Sequence, residues 1–179
     1  MRVVLAKRYA QALFSLGLDD HAYEAYGQEL ADFWASLKAA GPEGEVLSSP
    51  AFPKEVRGGA LELVLAKAGL SQIVGDFLRL LHRRGRLGFL GEIVSAYQKL
   101  LDEKNGLIRG LLTTASSLDD SQLSALKSVL GTYMGRRVEL TVKLDPSIIG
   151  GVVAKLGDLV LDGSLKAKLN RLGRLLGTI

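Results

Sequence analysis

Few residues in this chain have side chains that do chemistry, and their spacing is uninformative for catalysis. There are two histidines, His21 beside Asp19 and Asp20, and His82 beside Arg83 and Arg84. An imidazole next to a carboxylate is one pattern for a general base, but a histidine at a helix start or among arginines reads first as a solvated surface group. Asp158 and Asp162 stand four apart around Gly157-Asp158. That spacing would admit a cation, yet turn formation and helix capping explain it more simply. Cysteine is absent, which removes thiol nucleophiles, disulfides and thiolate zinc sites. Two isolated histidines do not build a clustered-histidine metal centre. Gly157 is followed by Asp158 where a P-loop needs Lys-Ser or Lys-Thr, Gly150-Gly151 lacks the dinucleotide spacing, and no Gly-x-Ser-x-Gly elbow occurs. The expectation is a chain with no catalytic residue, no cofactor and no metal.

The elements that carry these residues fall into two grammars. Up to residue 104, apolar residues recur at three and four spacing, the period of helices packed on a core. Helices are predicted over 3–17, 20–40, 53–68, 71–84 and 87–104, with a short helical turn near 43–48. Gly17 is read as the end of the first helix, with Asp19 or Asp20 capping the second. Gly41-Pro42, Pro53, Gly69-Leu70-Ser71 and Gly85 mark the other breaks. The pattern changes at Asn105-Gly106, a turn dipeptide. A strand is predicted over Leu107–Ala115, then a helix opened by Ser117, Asp119 and Asp120 with Leu123, Leu126, Leu130, Tyr133 and Met134 on its apolar face. Val138, Leu140, Val142 and Leu144 alternate with polar residues, the mark of a half-buried strand. After an Asp145-Pro146-Ser147 turn, Ile148–Leu156 and Leu159–Leu161 read as a hairpin around Gly157-Asp158. Asp162 or Ser164 then caps a last helix with Leu165, Leu169, Leu172 and Leu176 along one side. The predicted class is α+β. A bundle of about six helices over 1–104 is followed by a small α/β unit over 105–179, with a short mixed sheet and two helices.

Composition supports a folded chain of one or two domains. It has 179 residues, 47% of them apolar, well above what a disordered segment carries. No apolar run reaches the roughly 18 residues of a membrane span, and the first residues lack a leader-like cleavage pattern. Mean hydropathy is +0.19, which leaves room for apolar surface awaiting partners. The net charge is +4, and its location matters more than its size. Residues 1–104 hold 13 basic and 13 acidic side chains, whereas 105–179 hold 10 and 6. Lys166, Lys168, Arg171 and Arg174, with no acid among them, equal the whole excess. They suit either the C-terminal end of a helix dipole or an acidic partner. The arginine run Arg79, Arg83, Arg84 and Arg86 raises a nucleic-acid-binding adaptor as the alternative function, but it lacks the interleaved aromatics that stack on bases.

Two helices carry more apolar arc than a surface helix needs. Leu5, Ala6, Tyr9, Ala10, Ala12, Leu13, Phe14 and Leu16 spread over about 200°, where a stripe of about 100° suffices for a surface helix. Ile73, Val74, Phe77, Leu78, Leu80 and Leu81 cover roughly 160°. Such helices fit ordinary core packing or a groove that accepts an amphipathic helix.

The residues in order resemble a known family. Arg8-Tyr9-Ala10-Gln11-Ala12-Leu13-Phe14, Leu47-Ser48-Ser49-Pro50 with Phe52, and Phe77-Leu78-Arg79-Leu80-Leu81 before Arg84-Gly85-Arg86-Leu87 are similar to the delta subunits of bacterial F-type ATP synthases. The mitochondrial counterpart is the oligomycin-sensitivity-conferring protein. The strongest part is Asp145-Pro146-Ser147-Ile148-Ile149-Gly150-Gly151, then Gly157-Asp158, then Asp162-Gly163-Ser164 with Leu169 and Leu172. Gly150, Gly151, Gly157, Asp158, Asp162, Gly163 and Ser164 read as fold-specifying turns and caps. The resemblance implies a stator with no active site, one copy per complex, peripheral at the cytoplasmic face of the bacterial plasma membrane and not inserted in it. Its helical part would grip helical segments of the alpha subunits of the head, and its C-terminal part would join the b subunits of the peripheral stalk. Carried over by position, the alpha-subunit groove would involve Tyr9, Ala10, Leu13, Phe14, Phe77, Leu78 and Leu81, and stalk binding would involve Lys166, Lys168, Arg171 and Arg174. Gly58, Gly59, Gly75, Gly88 and Gly91 have no assigned role in this reading.

Overall fold

The computed structural model describes residues 2–41, 44, 46, 47, 49, 51–148, 150–157, 159–165 and 167. The chain divides into two compact units, Met1–Leu101 and Asp102–Ile179. The first is helical and the second is built on a mixed sheet, so the class is α+β.

In the first unit the described helices are α1 (Arg2–Asp19), α2 (Tyr23–Ala39), α3 (Lys54–Ala68), α4 (Gln72–Arg83) and α5 (Leu90–Lys104), with a 3-10 turn at Leu87–Phe89 before α5. The turn expected near 43–48 lies largely outside the described residues. Leu13, Leu30, Leu61, Leu78, Leu81, Leu90, Ile93 and Tyr97 are fully buried at the centre. Each buried leucine of this kind is worth roughly 1.5–3 kcal/mol over an exposed one.

The corner between α1 and α2 differs from the expected one. Gly17 does not end α1. It is buried inside the helix where α2 crosses, and a Cβ there would meet the Tyr23 Cα at 2.7 Å. The helix stops two residues later through its own carbonyls. Ala22 N–H donates to Gly17 O at 2.8 Å and His21 N–H to Leu18 O at 3.3 Å. This pair of bonds requires a left-handed residue just past the helix, and His21 supplies it with φ 54°. Neither Asp19 nor Asp20 caps α2. Its first flanking residue is Ala22, with no side-chain cap, and Asp20 instead accepts the Tyr26 hydroxyl at 2.9 Å. The same carbonyl pattern closes α4 at Gly85, with Arg86 N–H on Leu81 O at 2.8 Å and Gly85 N–H on His82 O at 2.9 Å.

The start of α4 has a side-chain cap. Ser71 accepts from the Val74 N–H, while Glu29 of α2 accepts from both the Ser71 N–H at 2.9 Å and its hydroxyl at 2.7 Å. One carboxylate thereby fixes the entry of α4 against α2. Two of the unassigned glycines also acquire reasons. A Cβ on Gly91 would lie 2.8 Å from the Trp34 ring, and one on Gly58 would lie 3.1 Å from His82 Nε2.

The second unit comprises β1 (Leu107–Thr114), α6 (Asp120–Met134), β2 (Arg137–Leu144), β3 (Val152–Leu156) and β4 (Leu159–Asp162). The sheet order is β2-β1-β3-β4. β1 runs parallel to β2 and antiparallel to β3, and β3 pairs antiparallel with β4. A parallel pair needs a crossover, which α6 supplies. Asp119 caps α6 in a reciprocal box: its carboxylate accepts from Gln122 N–H at 2.7 Å, and the Gln122 side chain accepts from Asp119 N–H at 3.1 Å. Leu112, Val138, Leu140, Ala154 and Leu156 bury one sheet face with Leu130, and Leu123, Leu126 and Met134 pack alongside.

Several details depart from the sequence reading. α6 starts at Asp120 with Asp119 as its cap, not at Ser117, because the Asp119 carboxylate reaches the Gln122 N–H. Tyr133 is exposed because it lies at the edge of the α6 face, in the last turn. Val142 and Leu144 are exposed, whereas Val138 and Leu140 of the same edge strand are buried in the cluster with Leu130 of α6. The third strand begins at Val152, four residues later than predicted, because Gly150 (φ 99°) and Gly151 (φ 88°) hold left-handed conformations that a strand does not use.

Candidate partner-binding surface

The broad apolar arc of α1 resolves into two faces. Ala6, Ala10, Leu13 and Gly17, at three and four spacing, are buried in the core. Leu5, Tyr9, Ala12 and Leu16 form a neighbouring flank that ranges from half-buried to exposed. On α4, Val74, Phe77, Leu78 and Leu81 are buried, while Ile73 is half-buried and Leu80 exposed. The two flanks meet at one aromatic contact. The rings of Tyr9 and Phe77 lie edge to face, 6.3 Å between centroids at 69°, and the Arg86 guanidinium stands 5.7 Å from the Tyr9 centroid. Both geometries are favourable for the ring quadrupole.

Of the seven residues carried over to the groove, the structure brings Tyr9 and Phe77 together at this surface. Ala10, Leu13, Leu78 and Leu81 have no exposure and belong to the core. Phe14 points elsewhere, meeting Tyr23 at 5.8 Å and Tyr97 at 5.5 Å. The accessible flank residues Leu5, Ala12, Leu16, Ile73 and Leu80 were absent from that set. They share the apolar arcs legible in the sequence, but only the packed bundle says which part of an arc is covered.

The Gly-rich C-terminal signature is a structural knot of backbone contacts. Gly163 N–H donates to Val152 O at 2.9 Å, and Leu165 N–H donates to Gly150 O at 3.0 Å. These bonds draw residues 150–152 against 163–165 so closely that a Cβ on Gly151 would sit 2.5 Å from the Gly163 carbonyl oxygen. Asp162 accepts from the Ser164 N–H at 2.9 Å, and the buried Ser164 hydroxyl oxygen accepts from the Ala167 N–H at 3.2 Å. The Ser164 backbone and hydroxyl donors hold the Asp162 carboxyl below its usual range. Gly157, with φ 59°, opens the two-residue loop between Leu156 and its partner Leu159, as an αL turn residue does. Asp158 lies outside the described residues, as do Lys166, Lys168, Arg171, Arg174 and the rest of the last predicted helix except Leu165 and Ala167.

The remaining sequence candidates are dispersed. His21 is an exposed corner residue. Arg79 is taken by Glu62 at 2.8 Å and by Asp76 at 3.0 Å, and Arg86 sits on Tyr9, so the arginine run does not form one continuous stripe. Among the described residues, no group of three His, Cys, Asp or Glu side chains is placed to hold a metal, and no helix is long and apolar enough to cross a membrane.

The chain thus joins a helical unit with a half-open apolar flank to a small mixed-sheet unit closed by glycine turns. The sequence comparisons give the family. Residues 5–176 match the family model "ATP synthase delta (OSCP) subunit", and the chain belongs to that family. It is 43% identical over 168 residues to ATP synthase subunit delta of Geobacter metallireducens, covering 94% of this chain and 93% of that one. It is 40% identical over 166 residues to the subunit delta of Desulfatibacillum aliphaticivorans, covering 92% and 90%. Its fold is shared with a chain from the cryo-EM structure of the Toxoplasma gondii mitochondrial ATP synthase hexamer, with a TM-score of 0.72, 21% identity and 98% of each chain covered.

Proposed function

We propose that this chain is the non-catalytic stator subunit of a proton-translocating rotary ATP synthase, linking the head to the peripheral stalk and resisting rotor torque. In this reading the first unit binds the N-terminal helical segments of the alpha subunits, and the second joins the b subunits through Lys166, Lys168, Arg171 and Arg174. One copy serves each complex, held peripherally at the cytoplasmic face of the plasma membrane. The observation that carries the reading is the apolar flank around Tyr9 and Phe77. An amphipathic helix laid beside Leu5, Ala12, Leu16, Ile73 and Leu80 would cover apolar surface that the bundle leaves open.

The test uses the full chain and a peptide copying the N-terminal segment of its alpha subunit, followed by titration calorimetry. Leu13 and Leu78 are unsuitable probes because burying a charge there would unfold the bundle. Leu16→Lys and Leu80→Lys place the charge on the open flank instead. Each is expected to weaken peptide binding about tenfold or more, equivalent to at least ~1.4 kcal/mol, with the fold intact. Unchanged affinity in both variants would remove the groove. For the second unit, reversing the four basic residues is expected to weaken b-subunit binding and flatten its salt dependence.

A further inference from the structure

At one end of the α3–α4 pair three nitrogen-bearing side chains come together, and among the described residues none of them is held in an ion pair. Lys54 Nζ donates to the Arg83 carbonyl at 3.1 Å. The His82 imidazole lies against the first turns of α3, an approach possible because Gly58 has no side chain: a Cβ there would be 3.1 Å from Nε2. The ring also hydrogen-bonds the Lys54 backbone. Arg57 Nε is buried and has no acceptor among the described residues. Ion pairs among the described residues engage Arg79 and Arg109, not Lys54 or Arg57. Glu62, the acid that faces His82 from α3, already accepts from Arg79 through both oxygens at 2.8 Å.

We propose that Lys54, Arg57 and His82 form an oxyanion site that receives a side-chain carboxylate from an acidic segment of a neighbouring protein. A buried guanidinium N–H without an acceptor is costly, and a charged oxygen satisfies it well. Two fixed cations and one titratable ring suit a single carboxylate, and a subunit of a multi-protein complex meets such groups on its neighbours. The site uses α3 and the end of α4, not the flank around Tyr9 and Phe77, so it stands or falls separately from the groove.

The site should also sense pH. Burial, followed by the charges of Arg57 and Lys54, holds the His82 imidazole below its ordinary value, and Glu62 only partly opposes this. A carboxylate placed among the three groups favours the imidazolium, so binding takes up a proton and strengthens as pH falls from 8 towards 6.

The experiment follows the His82 ring of the full chain by NMR during titration with acetyl-tetraglutamate amide, and in parallel with inorganic phosphate. The peptide is expected to raise the His82 titration midpoint by about one pH unit, a tenfold linkage. Arg57→Gln should weaken the peptide about tenfold, Arg57→Lys should recover part of that loss, and His82→Gln should bind with no pH dependence. Three results would overturn the proposal: a His82 midpoint unmoved by the peptide, an affinity unaffected by Arg57→Gln, or tighter binding of free phosphate than of the peptide.

Discussion

The Tyr97 hydroxyl donates to the Tyr23 carbonyl at 2.8 Å, joining α5 to α2 across 74 positions of sequence. The Tyr97 ring is 1% exposed and meets Phe14 of α1 edge-on, so three helices converge on one side chain. Tyr97→Phe keeps the ring and removes the donor. It is expected to cost about 1–2 kcal/mol, the range for one buried hydrogen bond. Urea unfolding of the two proteins, compared at constant slope, measures the difference.

The same residue gives the chain an alkaline weakness. Burial, and then the proximity of Tyr26, push the Tyr97 phenol well above the usual tyrosine range. The unfolded chain therefore releases this proton first as pH rises. The stabilisation is complete below about pH 10 and is lost progressively as pH climbs towards the folded value. Wild type should lose stability above pH 10 more steeply than Tyr97→Phe, and equal slopes would show that the phenol plays no part.

His21 offers a gain in stability. It holds φ 54° without being glycine, a conformation that costs an L-residue roughly 1 kcal/mol. His21→Gly should relieve this strain but widen the unfolded ensemble, leaving a net gain of up to about 0.5 kcal/mol. His21→Val, β-branched at the same angle, should destabilise. Thermal unfolding of both variants tests the pair, and a loss in the glycine variant would count against the strain.

Gly91 and Trp34 supply an optical test. The chain has one tryptophan, and its ring would lie 2.8 Å from a Cβ at position 91. Gly91→Ala must push the indole aside, at an expected cost of about 1–3 kcal/mol as for other overpacked sites. Trp34 emission should shift in the folded variant and coincide with wild type in denaturant.

Periodicity revealed where helices lie and that α1 and α4 are unusually apolar, because burial repeats with the turn of the helix. It could not divide the α1 arc into Ala6, Ala10 and Leu13 against the core and Leu5, Ala12 and Leu16 beside it, since both sets are apolar. That division depends on which helix packs where. A helix end is not legible where the stop signal is not a side chain: Gly17 serves a crossing, and His21 takes the position that glycine usually holds. The strand Arg137–Leu144 was clear from alternation, but its parallel partner was not, because pairing Ile108 with Val138 is a long-range choice. The Lys54, Arg57 and His82 cluster was hidden for the same reason, its members coming from separate helices.

The placement of β1 has a consequence for how the chain is made. A ribosome that has reached Leu101 has already supplied the core residues of the helical unit. β1 follows directly, yet its two edges await β2 and β3, which arrive some thirty and forty residues later. The earliest strand of the sheet thus waits longest for its partners. Its bare edges are the part of the nascent chain most exposed to mispairing, and the sheet unit should be the slower of the two to fold.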